Sequence, residues 1–261
     1  MLDHLFRVVG GGLLAAALVL VAGTAHAGSL LKDGFSFPEG QATKIVVFRP
    51  DVQVGTLRST GQDEPNVEWT ETARANITGE MKSQADAMGL KLEFLTDFQG
   101  TDAELLDSYR ALFVAVASSV MRHGVIGDRL PTKLEPRTPE NPSKRWRFDW
   151  TMGPGMSRFA DLTGAEYGLF FYTHDAYGSA GRKTAMIFAA MWGAAILSGI
   201  HEGYAALVNL RTGDVVWFNS DIAMGGDPRE VAGATKRVGQ LLAGFPGSKP
   251  AVPAPVAPAA R

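Results

Sequence analysis

The sequence predicts an α/β fold: a three-layer arrangement in which a mixed sheet carries helices on both faces and closes with a C-terminal β-hairpin followed by a helix. Three observations lead there. Short β-rich runs bounded by turn residues occur at Lys44 to Arg49 and Tyr167 to Thr173, and apolar stripes at three- and four-residue spacing lie between them. Near the end, "LRTGDVVWF" places Thr212-Gly213 between two β-rich runs, where glycine supplies the positive φ of a tight turn.

In order, "KIVVFR" (44–49) is nearly continuous in apolar residues and stopped by Pro50, as expected of a buried strand. A polar loop ending in Pro65 follows. Trp69, Ala73, Ile77, Met81, Ala85 and Met88 then form the apolar stripe of a helix, with Gly89 as its stop. "LKLEFL" (90–95) alternates as a second strand. Thr101 and Glu104 have capping-box spacing, and Leu105, Tyr109, Leu112, Phe113, Val116 and Val120 predict a helix ending before Gly124.

Residues 131–143, rich in proline, read as a surface loop. In "KRWRFDW" the aromatics Trp146, Phe148 and Trp150 share one face of an extended chain, which predicts packing on the sheet. Arg145 and Arg147 lie on the other face as a candidate interaction surface. Pro154 suits the start of a short helix ending near Gly164. The strand "YGLFFYT" leads through the turn "YGSAGRKT" (177–184) into an apolar helix over about 182–197, then the strand "YAALVNL". A last helix spans about 228–242. Seventeen uncharged residues, 184–200, suit either a buried central helix or a membrane-inserting segment; their length and the flanking strands favour burial.

Both ends read differently from this middle. Arg7, an apolar core from Leu13 to Ala22 and Ala25-His26-Ala27 have the form of a secretory signal over residues 1–27, cleaved before Gly28. Residues 246–261, a Pro/Ala tract, are expected to be a disordered tail, leaving 28–245 as one α/β domain. With no cysteine, the chain has no disulfide, thiol nucleophile or acylated anchor. A net charge of -2 gives no bulk attraction to nucleic acid.

The turn at 177–184 invites two chemical readings, and both fail on required positions. A Walker phosphate loop needs glycine where Tyr177 and Arg182 stand. A nucleophile elbow centred on Ser179 has Tyr177 at its first glycine, and the one later histidine, His201, follows with no acid between. What remains is Ser179 as a helix N-cap, with Asp175, Tyr177, Ser179, Arg182 and Lys183 as candidate ligand-binding residues for a small anion or lipid headgroup. "HEGYA" (201–205) lacks the second histidine of a zincin, so no metal and no cofactor is expected.

The order of elements, the "TGAEYGLFFY" approach to a central strand and the hairpin "ALVNLRTGDVVWF", with Leu210, Arg211, Thr212, Gly213 and Trp217, are similar to cell-envelope proteins related to the curli secretion channel subunit. That group includes small outer-membrane assembly lipoproteins and resembles the N-terminal domain of TolB. The resemblance implies a non-catalytic, periplasmic protein of the cell envelope that works through oligomers and contacts with envelope proteins. This chain departs from the group in lacking the lipid-anchoring cysteine. The expectation is therefore an exported accessory or assembly factor, with a homo-oligomer as an option. A small-ligand-binding protein or hydrolase at Ser179, and a membrane-inserting oligomer through residues 184–200, stand as alternatives.

Overall fold

A computed structural model describes residues 29–38, 43–135, 138–139 and 146–248. The signal segment, Arg145, much of the proline-rich loop and most of the C-terminal tail lie outside the described residues.

Among the described residues, eight strands form one mixed sheet: β1 Leu30–Leu31, β2 Ile45–Val47, β3 Asp51–Leu57, β4 Asp63–Pro65, β5 Leu92–Phe94, β6 Tyr167–Gly178, β7 Gly199–Asn209 and β8 Val215–Asp221. Five α-helices among the described residues accompany them: α1 Val67–Met88, α2 Thr101–Val120, α3 Ser157–Thr163, α4 Ala180–Met191 and α5 Val231–Leu241. The main strand order is β1-β8-β7-β6-β2-β5, with β3 on β6 and β4 on β3. β6 runs parallel to β2 and β3 and antiparallel to β7.

Alternation along the strands divides the interior into two cores, which makes the three layers expected. On one face Ile77 and Met81 of α1 and Val238 and Leu241 of α5 cover Val47, Leu169, Leu207 and Trp217. On the other, Phe113 and Ala117 of α2 and Phe159 of α3 cover Phe48, Phe170, Val208 and Phe218. α1 follows its predicted stripe, burying Ala73, Ile77, Met81 and Ala85; the Asn66 side chain accepts from Trp69 N–H, and Gly89 ends the helix in the left-handed region at φ 73°.

The strands β3 and β4 occupy what the sequence marks as a polar loop. Pro50 interrupts the ladder without reversing the chain, so β2 pairs with β6 at 167–169 and β3 resumes the same direction at 172–178. Val52, Val54 and Leu57 point inward along it. The capping box at Thr101 does not form: Thr101 is already helical, and Glu104 N–H donates to Gly100 O. α2 also does not stop at Gly124 but runs on as a π-helical turn, Met121–Ile126. The aromatics of "KRWRFDW" do share the α2/α3 core, yet that segment makes a single bridge, Leu134 with Trp146, rather than a strand of the sheet.

The largest departure concerns residues 184–200. The helix ends at Met191, six residues before the expected end, and Arg182 is its one buried residue. Ile187, Phe188, Met191, Trp192 and Leu197 are 60–88 % exposed. Burial as a central helix is thus overturned, because the connection between two antiparallel neighbours lies at the end of the sheet, where no layer covers it.

Candidate functional site

The register of β6 and β7 assembles the polar residues at the α4 end of the sheet. Asp175 stands opposite His201, Tyr177 opposite Gly199 and His174 opposite Glu202. Alternation sends Asp175, Tyr177 and His201 to the α1/α5 side, and His174 and Glu202 to the α2/α3 side.

On the α1/α5 side Asp175 is fully buried. Its Oδ1 lies 2.6 Å from Arg237 Nη2 and 2.7 Å from His201 Nδ1. Arg237, also 0 % exposed, further donates through Nε and Nη2 to Gly226 O at 3.0 and 2.7 Å. Among the described residues, buried Asp175 Oδ2 has no hydrogen-bond partner. The His201 ring packs 5.1 Å from Tyr177, and the Arg229 guanidinium lies over both Trp69, at 4.3 Å, and Tyr177, at 4.4 Å. Hydrogen bonds from Arg229 hold the Asp227 carboxyl down to about 2. Burial, with the Asp175 and Asp227 carboxylates nearby, pushes the Tyr177 phenol up. A part-exposed imidazole oriented by a buried carboxylate can carry a proton.

On the opposite side His174 Nε2 lies 2.8 Å from Asp63 Oδ2, and its Nδ1 faces Glu202 Oε1 at 3.7 Å. Tyr204 Oη donates to Glu202 at 3.1 Å. Glu202 and then Asp63 raise the His174 pKa, while His174 lowers that of Glu202. The raised histidine contributes stability that is complete below its ordinary 6.5 and is lost as pH rises through its folded value. The lowered glutamate contributes stability present above its ordinary 4.5 and lost as pH falls through its folded value. Urea midpoints should therefore be higher at about pH 5.5 than at about pH 8, and His174→Gln should flatten that difference. An unchanged pH difference in the variant would remove His174 as its source.

No protein-family model matches this chain, and no curated protein does. Among solved structures, a PelC dodecamer from Paraburkholderia phytofirmans aligns at 9 % identity and a TM-score of 0.34, over 83 % of this chain and 93 % of that one. Lipoprotein GNA1162 from Neisseria meningitidis aligns at 12 % and 0.26, over 69 % and 78 % respectively. The C-terminal domain of LpoB from Salmonella enterica aligns at 14 % and 0.24, over 73 % and 85 %. At such TM-scores no residue role passes from them to this chain.

The residues singled out around the turn separate into three places. Asp175 and Tyr177 belong to β6 and to the buried cluster. Ser179 is the N-cap of α4: its Oγ accepts from Arg182 N–H at 3.2 Å and has no hydrogen bond to His201. Arg182 turns inward, with Nε donating to Leu197 O at 2.8 Å and Nη1 to Arg58 O at 3.1 Å. It ties the start of α4 to the returning chain and to the β3–β4 hairpin. Lys183 remains exposed, without an ion-pair partner among the described residues. Arg147 donates to Thr132 O at 3.3 Å and faces Asp149 at 3.6 Å.

Sequence reasoning missed the Asp175–His201–Arg237 group. It tested His201 against acids that follow Ser179, whereas the acid precedes the serine and meets the histidine across a strand pair. The available signal was register: two strands joined by one connection place residues at equal distances from it opposite each other. A separate cleft of about 490 Å³ between α1 and α2 is lined by Arg49, Arg74 and Arg110, but each is held by carboxylates, of Asp97, Glu71, and Asp97 with Asp107.

Arg182→Ala should destabilise the tip by about 1–3 kcal/mol, because two part-buried hydrogen bonds from a charged donor are lost. The loss should appear as faster hydrogen exchange or proteolysis at residues 192–198 before global unfolding. Unchanged exchange there would mean that Arg182 does not hold the returning chain.

Proposed function

We propose that this chain is a non-catalytic accessory or assembly factor of a bacterial cell envelope, exported by its first 27 residues and acting by contact in the periplasm. One observation carries the contact role. The connection between β6 and β7 displays Ile187, Phe188, Met191, Trp192 and Leu197 at 60–88 % exposure on the end of the sheet. Adjacent apolar side chains left in water on this scale mark interaction surfaces. The signal-like N-terminus and the resemblance to curli-related envelope proteins point to where the surface works.

Cell fractionation tests the proposal. The protein is expected with the envelope, and Ile187→Ser, Met191→Ser and Trp192→Ser combined should release it to the periplasmic wash. Wild type recovered in the cytoplasm, or a variant that fractionates identically, would overturn it.

A second reading is a ligand-binding protein or hydrolase, for which the part-exposed His201 on buried Asp175 is the specific support. A reproducible hydrolytic activity lost in both Ser179→Ala and His201→Ala, with the fold intact, would replace the contact role.

A further inference from the structure

We infer that the α4 tip, residues 184–200, is a docking element for the surface of a lipid bilayer, entering the headgroup region without crossing it. This inference rests on the envelope reading, since it needs a bilayer within reach of the chain.

The first argument is the distribution of apolar surface. At 100° per residue, Ile187, Phe188, Met191 and Trp192 spread over an arc of about 140° on α4. Leu197, 76 % exposed, extends that surface onto the returning chain, and Ala190 is exposed outside the arc. α4 buries no apolar side chain of its own against the body; its one buried residue is Arg182. A protein groove covers one stripe of a helix, whereas a bilayer surrounds a protruding tip on all sides.

Composition is the second argument. From Thr184 to Ile200 there is no charged residue, and Thr184 and Ser198 are the only polar side chains. Protein interfaces carry a polar rim and about one hydrogen bond per 100–200 Å². This tip offers almost none.

Length and charge give the depth. α4 has 12 residues, about 18 Å of helix, against a hydrocarbon core of about 30 Å, and no described helix is long and apolar enough to cross a membrane. Trp192, 88 % exposed, is the residue type that settles at the headgroup boundary. At the base of the tip Lys183 is exposed, and no acidic residue lies between Asp175 and Glu202, so the local charge suits anionic phosphate headgroups. Arg182 joins the two ends of the tip to each other and to Arg58 of the β3–β4 connection, which anchors the base of the apolar surface.

Because the chain has no cysteine, a single one can report on the tip alone. Full-length Ala190→Cys labelled with an environment-sensitive nitrobenzoxadiazole dye is mixed with vesicles of phosphatidylethanolamine and phosphatidylglycerol. A blue shift with a several-fold gain in emission is expected, absent when the label sits at exposed Ser83 on α1 and lost when Phe188→Ser and Trp192→Ser are added. Two results would overturn the inference: no change with vesicles, or a shift that grows with protein concentration in their absence, which assigns the tip to a second copy. Envelope fractionation that depends on the tip, combined with a silent dye, would keep the contact role and reject the lipid. Circular dichroism on each variant separates loss of binding from loss of fold.

Discussion

Asp175→Ala should lower stability by about 3–5 kcal/mol, the cost of leaving a buried cation without its partner. Both members of the pair are 0 % exposed, and Asp175 Oδ1 receives Arg237 and His201 together. For a domain of this size that corresponds to a fall in Tm of about 6–20 °C. Arg237→Ala should be comparably damaging, since it leaves a carboxylate with only a part-exposed histidine and opens a hole beneath α5. The replacement of both by apolar residues of similar volume, Asp175→Leu with Arg237→Met, should be less damaging than the sum of the single changes, because neither charge is then stranded. Thermal or urea unfolding of wild type, Asp175→Leu, Arg237→Met and the double variant measures this cycle, with Asp175→Ala alongside. A loss below about 1 kcal/mol in Asp175→Ala would show that the pair is not part of what holds β6 to α5.

Gly213→Val is the second large effect, expected at about 2–5 kcal/mol or loss of soluble protein. Gly213 has a φ of 78°, in the left-handed region where a β-carbon costs about 1–2 kcal/mol. A Cβ there would also fall 2.0 Å from Gly153 O, a backbone atom with no rotamer to yield. Gly213 O accepts from Met152 N–H at 2.7 Å and Thr151 Oγ1 at 3.1 Å, so the turn is tied to the segment that carries Gly153 and cannot easily swing away from it. Overpacking of this kind adds about 1–3 kcal/mol. Gly61→Val is the control: its φ is 85°, but nothing lies within 4 Å of its Cβ, so it should cost the conformational part alone. Equal losses in the two variants would sink the packing argument.

What was legible in the sequence follows physical locality. The stripe from Ala73 to Ala85 and the Thr212-Gly213 turn depend on neighbours a few residues away, and both stand where the letters put them. The strand β3 was hidden because Pro50 and Gly55 look like breakers. In the fold Pro50 sits between two pairings, and Gly55 is needed because a Cβ would meet Glu64 O at 2.5 Å. The polar cluster was hidden for another reason: Arg237, on α5, completes a site on β6, and no local pattern joins them. Residues 184–200 misled by composition, since an uncharged run is the same in letters whether it is covered by protein or displayed.

The place of β6 at the centre also sets the order in which the chain can fold. Tyr167 pairs forward with Asn209 across one connection, but backward with Ile45 across two long helices, so the β6–β7–β8 meander closes cheaply while β2 and β3 close last. Until β6 has been made, the strands β2, β3 and β5 have no central template to unite them, and the apolar faces of α1 and α2 have no complete sheet to cover. The first half of the molecule therefore completes its sheet only once the chain beyond residue 167 has joined it.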